Sequence, residues 1–343
     1  MSTNLAADVV DNLAIANAAA GNGAIDNSAI AEDASAGDSD SCDSTGCCEQ
    51  AICDSCGCSN DFAECCDSFN NRKRFLGFLP SDHCFDNFIS PISNPFFFED
   101  PRSLTEFRGI FIDNALPAGQ VGGGDAQIWA GQFRGRVTDR WSIIAPRLAY
   151  FTVNQADSGG SPVGFLSAPV GAKYNLIRDV QNQFLVSIGL TYFIPGAPSA
   201  LANFGNGDFH LFLTGGKQIL GNGHWLSGTG FRLPEDRNWG TQLWYWSNQW
   251  DYRLPGGIYP LIGVNWFHYM DSGAVPIGVP FGTLDILNLP SSGVAGSNVV
   301  TNVIGARWKP GGHFELGFGW EYPMTQREDV LKNRVYTDFI LRY

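Results

Sequence analysis

Eight of the chain's nine cysteines fall between positions 42 and 66: Cys42, Cys47, Cys48, Cys53, Cys56, Cys58, Cys65 and Cys66. Three roles are open to them. A disulfide knot suits an oxidising compartment. Metal binding is compatible with Cys53-x-x-Cys56-x-Cys58, because two or three thiolates at that spacing can reach one ion. The third is no defined role. No histidine joins the cluster, and no second CxxC follows to complete a zinc ribbon. Lipid attachment would need an export signal. The odd count, with Cys84 as the ninth, leaves one thiol over.

Catalytic constellations are sparse. The nearest approach to a nucleophile and base is His224-Trp225-Leu226-Ser227. On a strand, residues three apart point to opposite faces, so this pair cannot act together. His83, His210, His268 and His313 have no Ser, Cys or ligand-spaced neighbour. Gly122-Gly123-Gly124 does not lead from a strand into a helix, so it is not a nucleotide loop. An enzyme is not expected, and neither is a cofactor.

A second chemistry is spread along the chain. Arg134, Arg136, Arg147, Lys173, Lys217, Arg307, Glu315, Glu321, Arg334, Asp338 and Arg342 lie in stretches that alternate polar and apolar side chains. If the apolar faces point outward, these charges point inward and line a lumen. They would either flank a water-filled path, its basic excess favouring anionic or polar solutes, or pair across the interior and fill it.

The elements that would position them are strands. Twelve are expected, at about 105–114, 126–137, 141–153, 163–177, 182–194, 206–220, 223–233, 238–254, 259–270, 299–309, 312–324 and 331–343. In 312–324, Phe314, Leu316, Phe318, Trp320 and Tyr322 share a face opposite Glu315, Gly317, Gly319 and Glu321. Even-numbered connections are all short and most odd-numbered ones are long. That sorting is expected of a closed antiparallel transmembrane barrel with turns at one rim and loops at the other. Trp141, Tyr174, Tyr192, Trp239, Trp250, Tyr252, Tyr259, Tyr269, Trp308, Tyr322 and Tyr343 sit near strand ends, where aromatic girdles form. In the run Trp244 to Trp250, Asn248 falls on the apolar face without an evident reason. The long connection 271–298, apolar from Phe281 to Leu289, is either an inward constriction or an outer flap.

Composition agrees with this class. Charged residues are 16% and aromatics 13%, against about 25% charged for a typical soluble domain. The net charge of −13 is concentrated in residues 1–71, which hold 13 acidic and no basic side chains. The remainder balances at 21 of each sign, so no nucleic-acid partner is indicated. Residues 1–71 are expected to be a disordered, acidic, Cys-rich tail. No secretory signal can be assigned: the stretch Val9 to Ala20 contains Asp11, Asn12 and Asn17 and follows no Lys or Arg. Residues 72–104 are rich in Pro and Phe. They are either a plug or a linker on the barrel rim, at a mouth expected to be periplasmic.

The terminal strand Arg334–Tyr343 ends on an aromatic residue, as do the signal strands of bacterial outer-membrane barrels. With the strand number, the loop sorting and the run Asn94-Pro95…Glu99-Asp100-Pro101-Arg102, it resembles the transporter barrels grouped with the phenol-degradation meta-pathway family. That resemblance implies passive uptake of small, including aromatic, solutes, and transfers no site residue. The expected partners are a lipid bilayer, the barrel-assembly machinery acting on the last strand, and small solutes. Both termini are expected on the periplasmic side of an outer membrane. The alternatives are a structural or adhesive envelope barrel with a closed lumen and a cysteine cross-linked tail, and a soluble sandwich.

Overall fold

A computed structural model describes residues 74–155, 163–166, 168–195, 207–274 and 280–343. The tail 1–71, its expected disorder and its eight cysteines lie outside the described residues. The chain is all-β. Its strands are β1 (Glu106–Ala115), β2 (Gly124–Arg136), β3 (Trp141–Gln155), β4 (Val163–Phe165), β5 (Ala168–Asp179), β6 (Phe184–Ile194), β7 (Asp208–Ile219), β8 (Gly223–Pro234), β9 (Gln242–Tyr252), β10 (Ile258–Asp271), β11 (Asn298–Trp308), β12 (Phe314–Pro323) and β13 (Asn333–Arg342).

Apart from β4 and β5, which both pair with β3 and not with each other, each strand pairs antiparallel with its sequence neighbour. The sheet closes where β13 meets β1, from Glu106↔Arg342 to Ala115↔Asn333. The result is a closed twelve-stranded barrel plus one short extra strand, and closure removes both open edges. That extra strand, β4, runs in the same register against β3 as β5 does: Tyr150 faces Phe165 and Ile144 faces Gly171. The register sets Pro146 opposite Pro169 between them. Neither can donate to a ladder, so the pairing of β3 lapses between these two stretches.

The connections after β2, β5, β7, β9 and β11 hold three to five residues, and those at the other rim hold seven or more. Exposure follows the alternation. On β13, Phe339 and Leu341 are exposed while Arg334, Tyr336, Asp338, Ile340 and Arg342 are buried. Tyr259 and Tyr269 depart from their expected place in a girdle. Both faces of β10 carry large side chains, and these two tyrosines lie on its inner one.

Asn248 has a partner on the outer face. Its Oδ1 accepts from the Trp225 indole N–H at 3.2 Å. Trp246 donates to Ser227 and Trp244 to Thr229, each at 2.9 Å. Indoles here carry their own acceptors on the neighbouring strand, so they can sit in apolar surroundings without an unpaired N–H.

Two segments fill the interior. Residues 80–105 enter past Arg136 at the short-turn rim, run inward to Phe97 and return to β1. Phe85, Phe88, Ile89, Ile92, Phe96, Phe97, Phe98 and Leu104 are all buried. Inward glycines make room for them: a Cβ at Gly228 would lie 2.6 Å from the Phe98 ring, and one at Gly319 2.6 Å from Ile92. From the other rim, the β10–β11 connection inserts Leu284, Asp285 and Ile286. The two segments share clusters, with Phe96 and Ile286 in one and Phe97 and Leu284 in another.

Candidate functional site

The candidate site is the lumen where these segments meet the wall. On the short-turn side the charges form one connected network. Arg134 on β2 bonds Glu99 at 2.6 and 2.8 Å and Glu106 at 2.6 Å. Lys173 on β5 reaches Glu99 at 3.1 Å. Arg342 bridges Glu106 and Glu315, each at 2.7 Å. Arg307 lies 3.3 Å from Glu315 and 2.8 Å from Asp338, and Asp338 also accepts from Arg108 Nε at 2.7 Å. The Ser90 hydroxyl donates to Asp100 at 2.9 Å and accepts from Arg342 at 3.1 Å. Strand alternation places the wall charges inward. The two turns of the inserted segment place Glu99, Asp100 and Arg102 among them.

Burial alone would disfavour the charged form of each carboxyl. The neighbouring cations reverse this for Glu99: against the burial penalty, Arg134 and Lys173 hold its pKa down at about 2. Asp100, held by Arg102 and Lys173, lies further below the usual carboxylate range. Lys309, in the turn before β12, is pushed down to about 8 by burial, which Asp86 and Glu315 only partly offset.

On the loop side three arginines hold the second segment. Arg232 donates to the Leu284 and Leu287 carbonyls, both at 2.8 Å. Arg147 donates to the Ile286 carbonyl. Arg334 bonds Asp285 and Glu321, each at 2.8 Å. Rings stand beside the guanidiniums, with Phe193 4.9 Å from Arg147 and Tyr336 5.0 Å from Arg334.

Of the residues expected to line the lumen, Arg134, Lys173, Arg307, Glu315, Asp338 and Arg342 meet in the first network. Arg147, Glu321 and Arg334 belong to the loop-side cluster, and Arg136 sits at the rim, bonding Asp139 at 2.9 Å. Arg147 faces inward because β3 bulges: the register with β2 shifts by one residue between Gly131 and Phe133, so Pro146 and Arg147 both turn in.

Lys217 is a correction. It is exposed and shares the outer face of β7 with Leu211 and Leu213, its ammonium 5.8 Å over Phe184. Near a strand end, a lysine stem can cover apolar surface while its charge reaches the polar boundary, so charge alone does not turn it inward.

Sequence reasoning missed Glu106, Arg108 and Arg232, which strict alternation on β1 and β8 would have found. It also missed Glu99, Asp100 and Asp285, which lie in aperiodic segments. His224 and Ser227 lie on opposite faces: the histidine is buried against Asp251 at 2.7 Å, and the serine accepts from Trp246. Among the described residues, no group of three or more His, Cys, Asp or Glu is placed to hold a metal.

No family model matches the chain, and no curated protein matches it. Among solved structures it is similar to the COG4313 outer membrane channel from Pseudomonas putida F1, with 10% identity and a TM-score of 0.50. The likeness covers 75% of this chain and 100% of that one. The shared fold is a closed antiparallel β-barrel. Lesser likenesses are to the NanC porin, 9% identical with a TM-score of 0.43 over 70% of this chain and 99% of that one, and to the KdgM porin in complex with disordered oligogalacturonate. The latter is 8% identical with a TM-score of 0.40, over 70% and 98%. What this barrel shares with the first of these is its architecture.

Proposed function

We propose that this protein is an outer-membrane channel for small anionic solutes, held shut at rest by two of its own segments. The observation that carries the reading is the ownership of the charges. The wall around the first network supplies Arg108, Arg134, Lys173, Arg307, Lys309 and Arg342 against Glu106, Glu315 and Asp338. Glu99, which pairs with Arg134 and Lys173, belongs to the inserted segment, as does Asp100, whose ion-pair partner Arg102 lies on the same segment. Asp285 pairs with Arg334 from the loop. When the segments move aside, the exposed wall is cationic, and a path lined with arginine favours anions. The exposed outer face, with Leu148 at 58% and Phe318 at 51%, supports embedding in a bilayer.

In this reading both barrel termini face the periplasm at the short-turn rim, β13 is what the assembly machinery engages, and the barrel performs no catalysis. Passage of aromatic solutes rests on the family resemblance. The anionic preference rests on the wall charges.

The test is conductance in planar bilayers with the full chain. Rare, anion-preferring openings are expected; a folded protein giving no conductance and no solute flux into liposomes would contradict the channel. A second reading, a structural barrel with a permanently closed lumen, is favoured by the burial of the inward charges. Arg307, Glu315, Glu321 and Arg334 are all 0% exposed.

A further inference from the structure

The loop-side cluster binds its own loop incompletely. Arg334 spends Nε on Glu321 and Nη1 on Asp285, and its Nη2 is buried without a partner. Asp285 uses Oδ1 alone, and its Oδ2 is likewise buried without a partner. A guanidinium fork matches a carboxylate two-for-two, yet here the pair is held by a single bond. The chain cannot improve the fit, because Leu284 and Ile286 on either side are anchored through their carbonyls to Arg232 and Arg147. Leu284 also sits at φ 52°, a left-handed conformation unfavourable for a leucine. The wall contacts, not the loop's own preference, hold this shape.

We propose that this chamber is a recognition site for an apolar carboxylate, anchored on Arg334, and that Leu284-Asp285-Ile286 occupies it in the closed state as a built-in competitor. The proposal rests on the channel reading and names its solute class. The loop supplies the outline of the ligand: one carboxylate between two apolar groups, Leu284 clustered with Phe97 and Phe193 and Ile286 with Tyr336. A free carboxylate can rotate to engage Nη1 and Nη2 together, which the tethered Asp285 does not do. An apolar body then replaces Leu284 and Ile286 against the rings. Binding displaces the loop segment, so recognition and opening are one event.

The test uses the full-length protein in detergent micelles with three probes, benzoate, benzyl alcohol and acetate, titrated by calorimetry. Benzoate should bind at least tenfold more tightly than either of the others. Asp285→Asn should tighten benzoate binding at least fivefold, because the competitor loses its charge. Arg334→Lys keeps a cation for Glu321 but removes the fork. It should weaken benzoate at least tenfold while leaving benzyl alcohol unchanged and the barrel heat-modifiable on gels. Equal binding of benzoate and benzyl alcohol, or no change in either variant, would overturn the proposal; equal binding of acetate would overturn its apolar half. Conductance of Asp285→Asn separates the two readings. A conducting variant without benzoate preference refutes this site and leaves the channel standing. Benzoate preference in a protein that never conducts refutes the channel and leaves the site.

Discussion

Glu99 and Arg134 meet at 2.6 Å, the glutamate on a segment inserted through the barrel and the arginine on its wall. Both are buried, and Arg134 is shared with Glu106. A buried pair of this kind contributes little net stability compared with apolar packing, but breaking it by removing one partner costs about 3–5 kcal/mol. It therefore fixes where the segment sits more than how stable the barrel is.

Glu99→Gln should release the segment without unfolding the barrel. Arg102, buried in the docked segment, then becomes a trypsin site. Cleavage after Arg102 should be slow in the wild type and at least tenfold faster in the variant, with heat-modifiable migration retained. Unchanged cleavage would show that the pair does not hold the segment.

Gly228→Val and Gly319→Val should act by shape instead of charge. A side chain at either position meets Phe98 or Ile92 of the inserted segment. Each should cost about 1–3 kcal/mol of docking through overpacking. The same glycines replaced in a protein whose segment is already released by Glu99→Gln should have little further effect on trypsin cleavage.

Docking should weaken in acid. The Glu99 pKa is depressed to about 2, so the carboxylate contributes fully above the ordinary carboxylate range, near 4.5. That contribution fades as pH falls from there towards about 2. Lys309 acts in the same direction at the other end. Its pKa falls to about 8 under the docked segment from an ordinary 10.5, so docking expels a proton between those values and is favoured as pH rises through them. Conductance in bilayers stepped from pH 6 to pH 3 should therefore increase, and Glu99→Gln should lose most of that pH response.

Asn248→Leu should destabilise the barrel even though it makes the outer face more apolar. It removes the acceptor of the Trp225 indole, leaving a donor unpaired at a cost of about 1–3 kcal/mol. Urea unfolding from vesicles should show the loss, and the double variant with Trp225→Phe should recover much of it.

The barrel wall was legible because a closed sheet imposes period two. The expected strands 312–324 and 331–343 contain β12 and β13 within two residues at each end. Strand number, closure of the last strand on the first, and the sorting of loop lengths follow from the same signal. Local chemistry that interrupts the period was not legible. The facing prolines Pro146 and Pro169 break a ladder only because of a register set by the whole barrel. Lys217 was misplaced because charge was taken to override the alternation that Leu211 and Leu213 establish. The inserted segments have no period, so Glu99, Asp100 and Asp285 gain meaning only from the arginines opposite them. Asn248 looked anomalous on one strand and is explained by an indole on the next.

The most direct measurement is the reversal potential of single channels formed by Glu99→Gln/Asp100→Asn in a salt gradient, beside the wild type. The double variant should open far more often than the wild type and prefer anions, because it removes the Glu99 carboxylate that pairs with Arg134 and Lys173 and leaves Arg102 without its partner Asp100. A folded double variant that stays silent, or that conducts cations in preference, would contradict a lumen shut by its own acidic segment.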